Sequence, residues 1–232
     1  MKNFNSKSIK KYLLEFSAIF LGVTASFALS ELSERQTTNK NESIIIADLK
    51  SEVNRIKAYT GKSEKTLKED ILLFEQLLKK KSTSLETISS KTRVESALLN
   101  FTPFTPPMET YQSIIGSDGL RILNSNKLKI ALNTLYSRNF NRVLLVVDDE
   151  KQLKAKLLKV FLERYPEVVT ARADASITLP EYVSLLESII KDDEEIEAEM
   201  IIQLKYLKQR QATLQLYMLA TEDLEKILND ET

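Results

Sequence analysis

Residues 12–30 read YLLEFSAIFLGVTASFALS, nineteen residues of which only Glu15 is charged. A helix rises about 1.5 Å per residue, so this stretch spans roughly 28 Å, close to the hydrocarbon core of a bilayer at about 30 Å. Lys2, Lys7, Lys10 and Lys11 precede it, and Glu31 and Glu34 follow at once, with Arg35 and Lys40 further on. Basic residues gather on the cytoplasmic side of membrane helices. The expected organisation is therefore a cytoplasmic tail at 1–11, a transmembrane helix at 12–30 and an extracytoplasmic domain at 31–232.

A cleaved secretory signal is the rival reading, with Ser26-Phe27-Ala28 or Val23-Thr24-Ala25 as small-residue cleavage sites. The apolar run is longer than the usual core of such a signal, which favours an anchor. Both readings export the same domain.

Within the span, Ala18, Gly22, Ser26 and Ser30 recur every four residues and form one flank of small side chains. Such a flank lets helix backbones approach closely, and its hydroxyls can bond across the interface. It predicts packing against a second copy or another membrane protein. Glu15 lies one turn inside the cytoplasmic end. It can pair with Lys11 at i−4 and reach the interface, or stand in a ring of carboxylates lining an ion path. Its shallow depth favours the pairing.

Beyond residue 30 the apolar spacing is helical almost throughout. Ile46, Leu49, Val53, Ile56 and Thr60 follow a 3-4-3-4 pattern, which predicts that the anchor helix runs on into the domain, with Gly61 as a stop or kink. Leu67, Ile71, Phe74 and Leu78 mark a further helix ending in Lys79, Lys80 and Lys81, and residues 85–101 a weaker one. The segment FTPFTPP, 101–107, forces an extended connection, with Phe101 and Phe104 packed on the core. A short helix ends near Gly116, and Asn124 or Ser125 caps the next. A longer helix covers 141–165 and is halted by Pro166; 167–177 reads as a loop, and Thr178 caps a helix with Pro180 in its first turn. Last, Met200, Leu204, Leu207, Gln211, Leu214, Met218 and Thr221 keep a 4-3 repeat, the seam of a bundle or coiled coil, with Gln211 as its strongly polar mid-seam member. The fold class is all-α: one N-terminal transmembrane helix continuing into an antiparallel bundle of about four main helices with short helical insertions.

Two segments carry a resemblance. EFSAIFLGVTASFALSELSER, with Glu15, Gly22 and Glu34, and TYQSIIGSDGLRILNSNKLKIALNTLY, with Tyr111, Gly119, Leu128 and Tyr136, resemble an uncharacterised family of single-span envelope proteins from Gram-negative bacteria. Glu31-Leu32-Ser33 stands where that family usually has an Asn-Trp pair. The resemblance implies architecture, a helical domain tethered to the bacterial inner membrane and facing the periplasm, and no chemistry.

The chain has 33 basic and 33 acidic side chains, which disfavours nucleic acid, whose binding rests on phosphate neutralisation. It has no His and no Cys and four glycines. The usual metal ligands, the usual neutral-pH acid–base group and Gly-rich phosphate loops are thus missing. The carboxylates of 148–150 and 192–199 lack the spacing of a calcium loop, and the second group suits a helix start. The expectation is a protein that is not an enzyme and has no catalytic, cofactor or metal site. It is read as a membrane-anchored interaction or scaffold protein, working with membrane lipid as a homo-oligomer or an accessory subunit of an envelope complex. A periplasmic ligand sensor signalling through a partner, or a small oligomeric channel using Glu15, are the alternatives.

Overall fold

A computed structural model describes residues 6–79, 90–117 and 119–231, with the backbone alone at 6–15, 18 and 19. Among these residues the chain is all-helical. Helix α1 covers Ser6–Leu77, α2 Lys91–Leu99, α3 Glu109–Gly116, α4 Asn126–Asn133, α5 Phe140–Arg164, α6 Pro166–Ala173, α7 Leu179–Asp192 and α8 Glu194–Asp230. A single π turn, Thr134–Asn139, joins α4 to α5 without a break.

The C-terminal helix α8 is the axis of the bundle. Lys57 meets Glu225 and Glu75 meets Lys208, so α1 and α8 run antiparallel. Asn139 meets Leu216, Glu150 meets Arg210 and Arg164 meets Asp193, so α5 also runs antiparallel to α8. Hence α1 and α5 are parallel to each other, and the chain between them must cross back along the bundle. The extended FTPFTPP segment and α3 lie on that return. Phe104 is buried there against Tyr59, Phe140 and Tyr217, edge-on to Tyr217 at 5.2 Å. Leu49, Val53, Ile56, Phe74, Leu128, Leu135, Phe161, Leu186, Met200 and Leu207 belong to one continuous core.

Gly61 does not stop α1. The apolar phase set by Ile56 and Thr60 resumes at Leu67, Ile71 and Phe74, all buried, and this packing outweighs the roughly 1 kcal/mol by which glycine weakens a helix. The helix expected separately at 67–78 is therefore the end of α1. It closes with Lys79 at φ 53°, the left-handed conformation common after a helix C-terminus; Lys80 and Lys81 lie outside the described residues, as do 85–89 of the segment expected at 85–101.

Of the residues expected as a loop, 167–173 are helical and 174–177 form the connection to α7. Pro166 ends α5 and also starts α6, because a proline at the first helical position lacks only an N–H that has no partner there, and Val168 and Ala171 gain burial. The caps at Ser125 and Thr178 form as expected, Thr178 in a reciprocal box with Glu181.

Among the described residues no helix is long and apolar enough to cross a membrane. The segment 12–30 lies in α1, and the side chains of 12–15, 18 and 19, Glu15 and Ala18 included, lie outside the described residues. The structure thus lends the expected membrane helix no support of its own.

Candidate functional site

Two polar constructions lie against α1, and neither is visible as a motif. The first centres on Glu52, which is fully buried one residue before Val53 on the core-facing side of α1. Helix α3 begins after Met108, whose side chain cannot cap it. Glu52 does so from a distance. Its Oε2 accepts from the Thr110 amide at 2.5 Å, and its Oε1 from the Tyr111 amide at 3.3 Å and the Tyr136 hydroxyl at 2.6 Å. A carboxylate there also meets the positive end of the helix dipole. The Tyr111 and Tyr136 rings stack at 4.2 Å and 5° over this group. Burial, then the bond to Glu52, pushes the Tyr136 hydroxyl far above its ordinary range. Tyr136 belongs to the π turn, where one extra residue per turn places Leu135 and Tyr136 inward together. Ten residues earlier on α1, Glu42 accepts from both the backbone amide and the side-chain amide of Asn124, each at 2.6 Å. Two carboxylates of α1 thus hold the whole insertion between the proline segment and α4.

The second construction is a cleft of about 290 Å³ between α1, α2, α5, α8 and the start of the proline segment. Glu150 and Lys154, an i,i+4 pair on α5, are 1% and 4% exposed and 3.0 Å apart. Arg210 of α8 reaches Glu150 at 2.8 Å, and Lys154 also donates to the Asn100 carbonyl at 3.0 Å. Across the cleft Arg93 lies 2.5 Å from Asp70. Burial pushes the Asp70 carboxyl up, against the pull of Arg93. A buried ion group of this kind contributes little net stability, because desolvation offsets the attraction, but deleting one member strands the others.

Compared with protein-family models, with curated proteins and with solved structures, the chain shows no match.

The residues singled out in the sequence fall elsewhere. Gly22, Ser26 and Ser30 are exposed and line a shallow concavity with Val23 and Phe27. The Ser26 hydroxyl donates back to the Gly22 carbonyl at 2.8 Å, so its proton is used within the helix and its oxygen remains an acceptor. Of the C-terminal seam, Met200, Leu204, Leu207, Leu214 and Thr221 are buried, whereas Gln211 and Met218 are half-buried. The polar residues of that helix that are buried are Glu199, Gln203 and Thr221, and Gln203 donates to the Leu153 carbonyl at 3.4 Å. After Leu214 the buried line continues through Tyr217, Thr221, Leu224 and Leu228, about a quarter turn from that of Met200 at 100° per residue. The reason is a change of neighbour: Phe104 meets α8 at Tyr217. Among the described residues no three carboxylates lie close enough to hold a metal ion.

Glu52 was legible only as an acid at an inward position, three residues after Leu49 and four before Ile56. Nothing local marks it as the cap of a helix that starts at residue 109.

Proposed function

We propose that the chain is a membrane-tethered, non-enzymatic interaction module of the bacterial envelope, with the N-terminus cytoplasmic and the bundle in the periplasm. One observation carries this reading: the described side chains of α1 at 16, 17 and 20–32 are exposed and largely apolar, and the same helix ends as a wall of the bundle. Phe16, Phe20, Val23 and Phe27 lie on one side of the rod, and Leu21, Leu29 and Leu32 on the opposite one, all exposed. A helix lying on a protein or membrane surface has one apolar face; a helix apolar on opposite sides calls for an apolar environment all round. Among the described residues the first buried one is Ile46, and the wholly polar, exposed stretch 33–41 forms a helical spacer of roughly 14 Å, with Glu31 and Arg35 paired at 2.6 Å.

The same helix then carries Glu42 and Glu52, so a rotation of the tether would act directly on the insertion they hold. Association through the Gly22, Ser26 and Ser30 flank would make the module a homo-oligomer or an accessory subunit. A Cβ at Gly22 meets nothing within 4 Å, so Gly22→Leu leaves the chain's own fold untouched. The full chain in detergent is expected to lose mass on light scattering when Gly22 becomes Leu. An unchanged mass, with no crosslinked partner in native membranes, would remove the basis for the interaction role.

A further inference from the structure

We propose that the cleft between Arg93, Lys154 and Arg210 binds a compact hydroxylated carboxylate. This goes beyond the tethered-module reading and does not depend on the tether. The lining holds four cations, Lys62, Arg93, Lys154 and Arg210, against two carboxylates, Asp70 and Glu150, and counting Glu69, 3.5 Å from Arg93 beside the lining, the cations still lead by one. The excess favours an anion. Glu150 and Lys154 are almost completely buried, so the charges are built into the bundle and do not merely cover its surface.

Donors remain after the internal pairs are made. Among the described residues, Lys154 gives two of its three protons, to Glu150 and the Asn100 carbonyl. Arg210 meets Glu150 and the Thr102 carbonyl with two of its five N–H groups. Hydroxyls on the opposite wall have the complementary need. Ser63 donates to the Tyr59 carbonyl and Thr66 to the Lys62 carbonyl, so each keeps an oxygen that can accept from a ligand hydroxyl. Cations for a carboxylate on one side and acceptors for hydroxyls on the other define the class. The cleft volume, about 290 Å³, lies at the small end of ligand sites, which run from roughly 300 to 1,000 Å³. That size favours a sugar acid or hydroxy acid over a nucleotide.

Isothermal titration of the full chain in detergent tests this, with D-gluconate, D-glucuronate, citrate, propionate and inorganic phosphate as probes. At least one hydroxylated carboxylate is expected to bind saturably at one per chain, with propionate about tenfold weaker or more. Lys62→Glu reverses an exposed rim charge and Thr66→Val removes an exposed acceptor. Each is expected to weaken binding by about tenfold while leaving thermal unfolding of the unliganded chain unchanged. The proposal is overturned if none of the three hydroxylated acids binds, if phosphate binds more tightly than all of them, or if neither substitution alters the affinity.

Discussion

The Tyr136 hydroxyl donates to Glu52 Oε1 over 2.6 Å, joining positions 84 residues apart inside the bundle. Through this bond the π turn, α3 and the tether helix share one buried carboxylate. Other polar groups of the core have no such partner: among the described residues the Tyr217 hydroxyl is buried and makes no hydrogen bond.

That contrast fixes the first prediction. Glu52→Ala strands three donors and is expected to lower the unfolding free energy by about 3 kcal/mol or more. Tyr136→Phe removes one bond to a charged acceptor and is expected to cost about 2 kcal/mol. Tyr217→Phe removes a buried group that bonds to nothing, and is expected to be neutral or stabilising. Urea unfolding of the three variants checks the order, and a Tyr217→Phe loss equal to that of Tyr136→Phe would contradict it.

Lys91 closes the α6–α7 connection from outside. Its ammonium donates to the carbonyls of Ala171, Asp174 and Ile177 at 3.0, 2.5 and 2.8 Å, which accounts for all three protons. Lys91→Met should cost about 1–2 kcal/mol. It should also speed amide hydrogen exchange across 171–178 more than across α8. Uniform acceleration along the chain would argue that the lysine acts on global stability alone.

Asp193 and Asp70 make stability respond to acid in opposite directions. Burial opposes the charge on Asp193, but bonds from the Tyr165 hydroxyl and the Ile196 and Glu195 amides, with the Arg164 charge, outweigh it and hold the carboxyl below its ordinary 3.8. Its contribution is present above that value and is lost as pH falls through the lower folded value. Asp193→Ala, which also removes the cap of α8, should cost about 1 kcal/mol or more at neutral pH. That deficit should vanish in strong acid. Asp70 is held above 3.8, so the folded state favours its protonated form, and the benefit is lost as pH rises through the folded value. Asp70→Asn should therefore gain on the wild type as pH rises from about 3.8 towards neutrality. Thermal unfolding across that range measures both, and slopes of the same sign would refute the assignment.

What could be read from the residues alone was whatever depends on neighbours in sequence. Ser125, Thr178 with Glu181, and the 46–60 spacing each act within one or two turns, and each took its expected form. Pro166 was ambiguous for a physical reason: the same ring that ends one helix suits the first turn of another. Gly61 misled because local propensity, about 1 kcal/mol, is small beside the burial of Leu67, Ile71 and Phe74. The C-terminal seam holds at Met200, Leu204, Leu207, Leu214 and Thr221, but after Leu214 the buried line turns towards Tyr217, since a fixed 4-3 repeat assumes one partner and Phe104 supplies another there. The polar constructions were hidden most deeply. Glu52 with Thr110, or Glu150 with Arg210, lie 58 and 60 residues apart and meet only because α1 and α5 run parallel against α8.

The tether is the claim on which the functional account turns, and the absence of cysteine from the chain makes it directly measurable. The full chain is introduced into a bacterial inner membrane with a single cysteine, Ser43→Cys or Lys7→Cys, and exposed to an impermeant maleimide before and after permeabilisation, alongside an alkaline carbonate wash. The account predicts that the protein stays with the membrane, that Ser43→Cys labels from outside in intact spheroplasts, and that Lys7→Cys labels only once the membrane is opened. Release by carbonate, or equal labelling of both positions from one side, would contradict it.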